Sequence, residues 1–288
     1  TAVYDDLRDC DLIIEAVFEN RDLKAKVTQM AEAVMDPAGV FASNTSTLPI
    51  TGLAKASVRP EKFIGLHFFS PVHKMQLVEI IVGEQTDDET LAKAFDYVQA
   101  IRKVPIVVND SRGFYTSRVF GTWTNEGMAM LAEGQHPHAI EMAGMQAGMP
   151  VGPLALMDEV SLSLAAHVRD QTIKDLAGTD EAGKLAVAHP AFAVLDKMLA
   201  LGRPGRAAGA GFYEYGGAEK RLWPELAEIF MDGQPQLSQQ EMMDRLLFIQ
   251  AIETVRCLEE GVLRSVADAN LGSIFGWGFA PFHGGTLQ

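Results

Sequence analysis

Two residues open a chemical reading of this chain. His67 ends a short apolar segment, 63–67, and Glu79 lies inside a second, 77–81. Both segments are rich in β-branched and aromatic residues, and a Pro-containing stretch separates them, so both read as strands. A histidine near a strand end and a carboxylate twelve residues later form a pair if the two strands lie side by side. Such a pair can abstract a proton near neutral pH: the carboxylate fixes the ring tautomer and supports the charge that the ring acquires. The same spacing also suits a structural histidine beside a hydrogen-bonded strand carboxylate. The surrounding elements and residues have to decide.

Those elements alternate. Residues 11–18 form a nearly continuous apolar run, as in a parallel strand buried on both faces. A helix follows from Arg21 to about Met35, with Leu23, Val27, Met30 and Val34 as its apolar stripe and 36–39 as its stop. Residues 40–42 are a second strand, ending in the polar loop Ser43-Asn-Thr-Ser46 at a strand's carboxyl edge, where open α/β sheets bind ligands. A short helix near 50–56 leads to the strand that carries His67. Thr86-Asp-Asp-Glu89 fits a capping box before a helix lined by Leu91, Ala94, Phe95 and Val98, and 105–108 is a further strand. This order predicts a largely parallel sheet. After Gly113 the pattern turns helical: 114–132, 138–148, 154–176, 190–201 and a helix opened by the capping box Ser238-Gln-Gln-Glu241. The Gly-rich segment 202–217 reads as a loop or short extended piece. The Gly- and aromatic-rich tail 275–285 reads as a loop that packs its aromatics.

Composition narrows the classes. The 288 residues suffice for two or three domains, and 48% hydrophobic with 22% charged residues is ordinary for a folded chain. A net charge of −14 argues against a nucleic-acid surface, though not against one anionic ligand held at a helix N-terminus. Cys10 and Cys257 offer neither a disulfide framework nor a metal-ligand spacing, so no metal site is expected and a reducing compartment is the default. No run reaches 18 consecutive apolar residues, so no transmembrane segment is expected.

The literal residues add more. Gly65-Leu-His-Phe-Phe-Ser-Pro-Val-His-Lys-Met-Gln-Leu-Val-Glu-Ile-Ile81 resembles the active-site region of the L-3-hydroxyacyl-CoA dehydrogenase family. Phe41-Ala-Ser-Asn-Thr-Ser-Thr-Leu48, Asp110-Ser-Arg-Gly-Phe-Tyr-Thr-Ser-Arg118, Gly148-Met-Pro-Val-Gly-Pro-Leu-Ala-Leu-Met-Asp-Glu159 and Gly209-Ala-Gly-Phe-Tyr-Glu-Tyr215 resemble further family signatures in the family's order. The resemblance runs through essentially the whole chain and is strongest to the dehydrogenase part of bacterial multifunctional fatty-acid oxidation subunits. It implies a Rossmann-like α/β domain over 1–110 followed by helical carboxyl-terminal domains over 111–217 and 218–288. It implies NAD as cofactor and oxidation of L-3-hydroxyacyl-CoA to 3-ketoacyl-CoA in β-oxidation, in the cytoplasm. It also implies an enoyl-CoA hydratase region in the same full-length chain and a thiolase partner; self-association is a separate expectation, drawn from the open edge of the first strand.

Residue by residue, the resemblance makes His67 the base that takes the 3-hydroxyl proton and Glu79 the carboxylate that holds it. Ser46 matches a serine that bonds the substrate oxygen near the nicotinamide, with helix capping as its alternative. Glu19 matches a contact to the cofactor ribose and Lys24 one on the coenzyme A side, each with a solvated surface role as the alternative. Asn44 either touches cofactor or stabilises its own turn. Ser70 and Ser117 stand where the family often has asparagine; a serine still donates and accepts but is shorter. Arg112 replaces a common proline, Arg118 reads as a structural or interdomain salt-bridge former with the coenzyme A phosphates as its alternative, and His73 as a rim residue.

A dinucleotide fold opens on a strand, a Gly-x-Gly-x-x-Gly turn and a helix, and no such fingerprint lies at the amino end here. The expectation is that the first βαβ unit lies upstream of residue 1, that the first strand presents an open edge, and that these 288 residues alone bind NAD weakly. Two other readings stay open: a non-catalytic assembly module of a β-oxidation complex, and a dehydrogenase of a small free hydroxy acid.

Overall fold

The computed structural model describes residues 3–177, 189–217 and 219–288. By compactness the chain divides into Thr1–Val119 with Glu253–Gln288, and Phe120–Ile252. The boundaries at 110 and 217 divide it by sequence; the carboxyl-terminal 36 residues rejoin the first unit in space.

The first unit is built on five strands, β1 (Leu12–Glu15), β2 (Val40–Ser43), β3 (Phe63–Phe68), β4 (Leu77–Val82) and β5 (Val104–Asn109), in that spatial order. Helices α1 (Arg21–Glu32) and α2 (Ile50–Ala54) join β1 to β2 and β2 to β3, which run parallel. β3 and β4 are antiparallel, and α3 (Asp88–Ala100) joins β4 to a parallel β5. The single reversal has a length cause: residues 69–76 are too few for a parallel crossover, which needs about a dozen or more. β1 lies at one edge of the sheet. One sheet face buries Val40, Ala42, Ile64, Leu66, Val78 and Ile80 against Ala94 and Val98 of α3. These are alternate positions along each strand, as a pleat requires.

Three local expectations need correction. The helix after 86–89 is not opened by a capping box. Asp87 caps it, accepting from Thr90 N–H at 2.7 Å, while the Thr86 hydroxyl donates to Phe63 O at 2.7 Å. A strand-end carbonyl outcompeted the helix for that hydroxyl, and the start moved by one residue. The stretch 154–176 is two helices, Pro153–Val160 and Leu162–Leu176, because Ser161 takes φ 84° and Leu162 N–H bonds Pro204 O at 2.9 Å. The tail is not a loop at its start: a helix runs Val266–Trp277 and lies on β4 and β5. Its glycines permit that approach, since a Cβ on Gly272 would sit 2.8 Å from Ile106 Cδ1 and one on Gly276 3.0 Å from Leu77 Cδ2. Trp277 packs edge-on to Tyr115, and Phe279 is buried, whereas Phe282 is 72% exposed.

Among its described residues the second unit is helical, apart from the two-residue strands Tyr213–Glu214 and Arg221–Leu222, which pair with each other. Between 116 and 200 no strand occurs among the described residues. Here two of the signature stretches find their physical use. Glu141 accepts from the N–H groups of Leu154 and Ala155 and, at 2.6 Å, from the Tyr213 hydroxyl. Asp158 accepts from Phe212 N–H, Tyr213 N–H and the Tyr215 hydroxyl. The capping box at Ser238 forms as predicted, with Glu241 Oε2 accepting from Ser238 N–H at 2.9 Å and Ser238 Oγ accepting from Glu241 N–H at 3.2 Å.

Candidate active site

Alternation along antiparallel strands places Gly65 and His67 of β3 on the same sheet face as Glu79 and Ile81 of β4, and the register sets His67 directly opposite Glu79. His67 Nδ1 lies 2.9 Å from Glu79 Oε2, and both residues are buried, at 7% and 0% exposure. Glu79 receives further hydrogen bonds. Its Oε1 accepts from the backbone N–H groups of Tyr115 and Thr116, both at 3.0 Å, and its Oε2 accepts from the Thr116 hydroxyl at 2.5 Å.

These donors come from the start of α4 (Thr116–Ala132), where the first N–H groups of a helix have no partner within it and favour an anion. The chain aims them there by turning through Gly113 (φ 72°) and Phe114 (φ 51°). A buried carboxylate that already takes two N–H groups and a hydroxyl is held as an acceptor, so Nδ1 of His67 carries the proton it shares with Glu79. The lone pair then belongs to Nε2, the nitrogen left to act as a base. The rings of Phe69 and Phe114 flank the imidazole at 4.4 and 6.2 Å between centroids.

The other expected residues gather at the carboxyl ends of β1 and β2. Glu19 accepts from the Thr45 hydroxyl and Ser46 N–H, both at 2.8 Å, and from the Ser46 hydroxyl at 3.3 Å. Asn44 Oδ1 accepts from Phe68 N–H at 2.8 Å, tying the loop after β2 to the end of β3, one residue beyond His67. The hydroxyl and carboxylate chemistry of Ser46 and Glu19, beside the 66% exposed Phe18, suits the ribose and nicotinamide half of a dinucleotide. Among these strands there is no glycine-rich turn for its pyrophosphate.

Lys24 is placed differently from the expected coenzyme A contact. It is 2% exposed, and its ammonium donates to Glu15 at 2.9 Å and to Val17 O at 3.3 Å, with Glu19 at 3.4 Å. The Ser43 hydroxyl also bonds Glu15. Ser70 is exposed in the loop after β3, joined to Pro71 by a cis peptide; Ser117 is half-buried, next to Thr116 on α4. His73 is exposed. Arg118 pairs with Glu253 and, at 2.5 Å, with Glu260, so its guanidinium serves the first unit's own architecture.

The sequence reading missed Thr116 and Glu15. Glu15 carried a signal: a carboxylate ending an apolar strand calls for a polar or cationic partner, and Lys24 lies in the helix that follows. β1 itself is an edge strand whose Leu12, Ile13 and Ile14 are only half-buried, not buried on both faces as expected. Thr116 lay inside the 110–118 signature, but nothing there pointed to Glu79, since its contact spans 37 positions.

Comparison with known proteins follows the same lines. Residues 1–111 match the family model of the 3-hydroxyacyl-CoA dehydrogenase NAD binding domain, and 113–215 that of the 3-hydroxyacyl-CoA dehydrogenase C-terminal domain. The chain is 40% identical over 292 aligned positions to a fatty acid oxidation complex subunit alpha of Shewanella amazonensis, covering 100% of this chain and 40% of the relative. It is 39% identical to the subunit of the same name in Vibrio cholerae, covering 97% of this chain and 38% of the relative. The chain thus spans about two fifths of the length of the curated relatives it matches. Among solved structures, it is similar to (S)-3-hydroxybutyryl-CoA dehydrogenase from Ralstonia eutropha, at 37% identity and a TM-score of 0.68 over 75% of each chain. A 3-hydroxybutyryl-CoA dehydrogenase from Escherichia coli shares the fold, with a TM-score of 0.81 at 19% identity over 98% of this chain and 75% of that one. No helix among the described residues is long and apolar enough to cross a membrane.

Proposed function

The chain belongs to the 3-hydroxyacyl-CoA dehydrogenase family, and from that premise we propose that it oxidises an L-3-hydroxyacyl thioester of coenzyme A to the 3-ketoacyl thioester. The observation that carries this reading is the buried His67–Glu79 pair, with its carboxylate held by four donors. Nε2 of His67 takes the proton of the 3-hydroxyl as the C3–H bond gives up its electron pair and the C3–O double bond forms. NAD, when bound, supplies the acceptor for that hydride. Glu79 keeps the ring in the tautomer that presents Nε2 and stabilises the imidazolium that results. Ser46, Ser70 and Ser117 are assigned to the substrate oxygen and thioester, and Glu19, Asn44 and Ser46 to the cofactor side. Lys24 acts there through Glu15 and Glu19 by fixing the loop that carries Ser46.

In the full-length protein, we assign 1–110 to the NAD domain, 111–217 and 218–288 to helical domains, and a hydratase region to the same chain. A thiolase subunit is the partner, with self-association, in the cytoplasm. Steady-state kinetics of the complete enzyme test the chemistry. His67→Ala should lower turnover by about 10²–10⁴, the usual range for acid–base assistance, and Glu79→Gln by less. Near-normal turnover in His67→Ala would sink the assignment. The substrate class is tested by offering the coenzyme A thioester and the free 3-hydroxy acid side by side. Equal kcat/KM for the two would remove the thioester from the proposal.

A further inference from the structure

Glu79 Oε2 is shared. His67 Nδ1 reaches it at 2.9 Å and the Thr116 hydroxyl at 2.5 Å, while the hydroxyl and Nδ1 are 3.5 Å apart. Oε1 is already filled by two backbone N–H groups, which only donate, so the carboxylate cannot turn to give each side-chain donor its own oxygen. Thr116 is 1% exposed, and its own N–H binds the same carboxylate, which fixes its side chain against Oε2.

From this arrangement we infer that Thr116 is a positioning residue of the base: its hydroxyl locks the Glu79 carboxylate and sets the strength of the His67–Glu79 hydrogen bond by competing for Oε2. The inference rests on the proposed acid–base role of His67. A carboxylate oxygen shared by two donors is a weaker acceptor for each. The hydroxyl therefore restrains the carboxylate's pull on the imidazole while holding its rotation. Thr116 does this without touching the reacting atoms, so its loss belongs in turnover and not in substrate binding.

Thr116→Val keeps the volume and removes the hydroxyl; Thr116→Ser keeps the hydroxyl and removes a methyl group. The first readout is the proton resonance of the His67 Nδ1–H, identified by its loss in His67→Gln, in the chain without cofactor or substrate. In Thr116→Val, Oε2 retains one side-chain donor and the resonance should move downfield; in Thr116→Ser it should return to the wild-type position. The second readout, in the complete enzyme, is a kcat lower by about tenfold in Thr116→Val with KM unchanged, and recovery in Thr116→Ser. An unmoved resonance in Thr116→Val overturns the inference, as does a kcat loss that serine does not rescue. Should wild type show no dehydrogenase activity, the proposed function fails, and the resonance alone decides whether Thr116 governs the pair.

Discussion

Lys24 lies with its ammonium 2.9 Å from Glu15 and 3.4 Å from Glu19, where its own side chain and that of Glu15 are almost fully enclosed. Removing one partner of a buried ion pair strands the other charge away from water, at a cost of about 3–5 kcal/mol. Lys24→Met should therefore lower unfolding free energy by about that amount in a urea titration. Adding Glu15→Gln should recover part of it. The same cluster reaches the reactive edge, since Glu19 also holds Ser46 N–H and the Thr45 hydroxyl. A midpoint unchanged in Lys24→Met would mean that solvent reaches the ammonium and that the cluster is no clamp.

At the scale of elements, two helices of the second unit begin on a His-Pro step. Pro137 and Pro190 occupy the first turn, where a missing N–H costs nothing, and His136 and His189 accept from the N–H of the residue after each proline, at 3.2 and 3.3 Å. An imidazolium has no lone pair to accept with, so these caps exist only while the ring is neutral. Burial lowers the His189 pKa from its ordinary 6.5, against a smaller opposing pull from Glu126. The unfolded chain therefore binds the proton more readily than the folded one. The cap's contribution is complete above 6.5 and is lost as pH falls through the lower folded value. His189→Asn keeps a good cap that does not titrate. The drop in stability on acidification from above to below 6.5 should be smaller in His189→Asn than in wild type, measured by urea midpoints at both pH values. Equal drops would remove His189 from the account.

For the whole chain, the last 36 residues belong with the first 119, and the helix Val266–Trp277 covers β4 and β5. Asn109, Arg264, Tyr115 and Thr286 tie that return: Arg264 donates to Asn109 Oδ1 at 2.7 Å, and the Tyr115 hydroxyl donates to Ala269 O at 2.8 Å with Thr286 Oγ1 3.0 Å away. Burial pushes the Tyr115 hydroxyl's pKa up, so it stays a donor. Gly272→Val places new atoms against Ile106 and the Tyr115 ring, where a Cβ alone comes within 2.9 Å of both. It should cost about 1–3 kcal/mol. The local sign would be faster amide exchange in β4 and β5, with the amides of 137–160 unaffected. Unchanged exchange in β5 would show that the helix does not protect the sheet.

By itself the sequence determined the elements whose causes are local. Strand composition at 63–67 and 77–81, the crossover spacing, and the Ser238–Glu241 box all depend on neighbours a few residues away, and each appears in the structure. His67 and Glu79 were legible in part: composition marked their strands and the family resemblance their roles, while the pairing stayed conditional until the antiparallel register set the two residues opposite each other. Tertiary structure decided what depends on distant partners. The Ser161 break was invisible because the apolar period continues across it, and only the contact with Pro204 selects it. Gly276, at the start of the tail, read as a loop former, since glycine weakens a helix in isolation. Close packing on Ile106, Leu77 and Tyr115 outweighs that preference, and only the assembled sheet supplies it. The helix pattern alone lets Lys24 face solvent; the buried carboxylate of Glu15 draws it inward. Thr116 joined the site only when the turn at Gly113 and Phe114 delivered the start of α4 to a carboxylate 37 positions earlier.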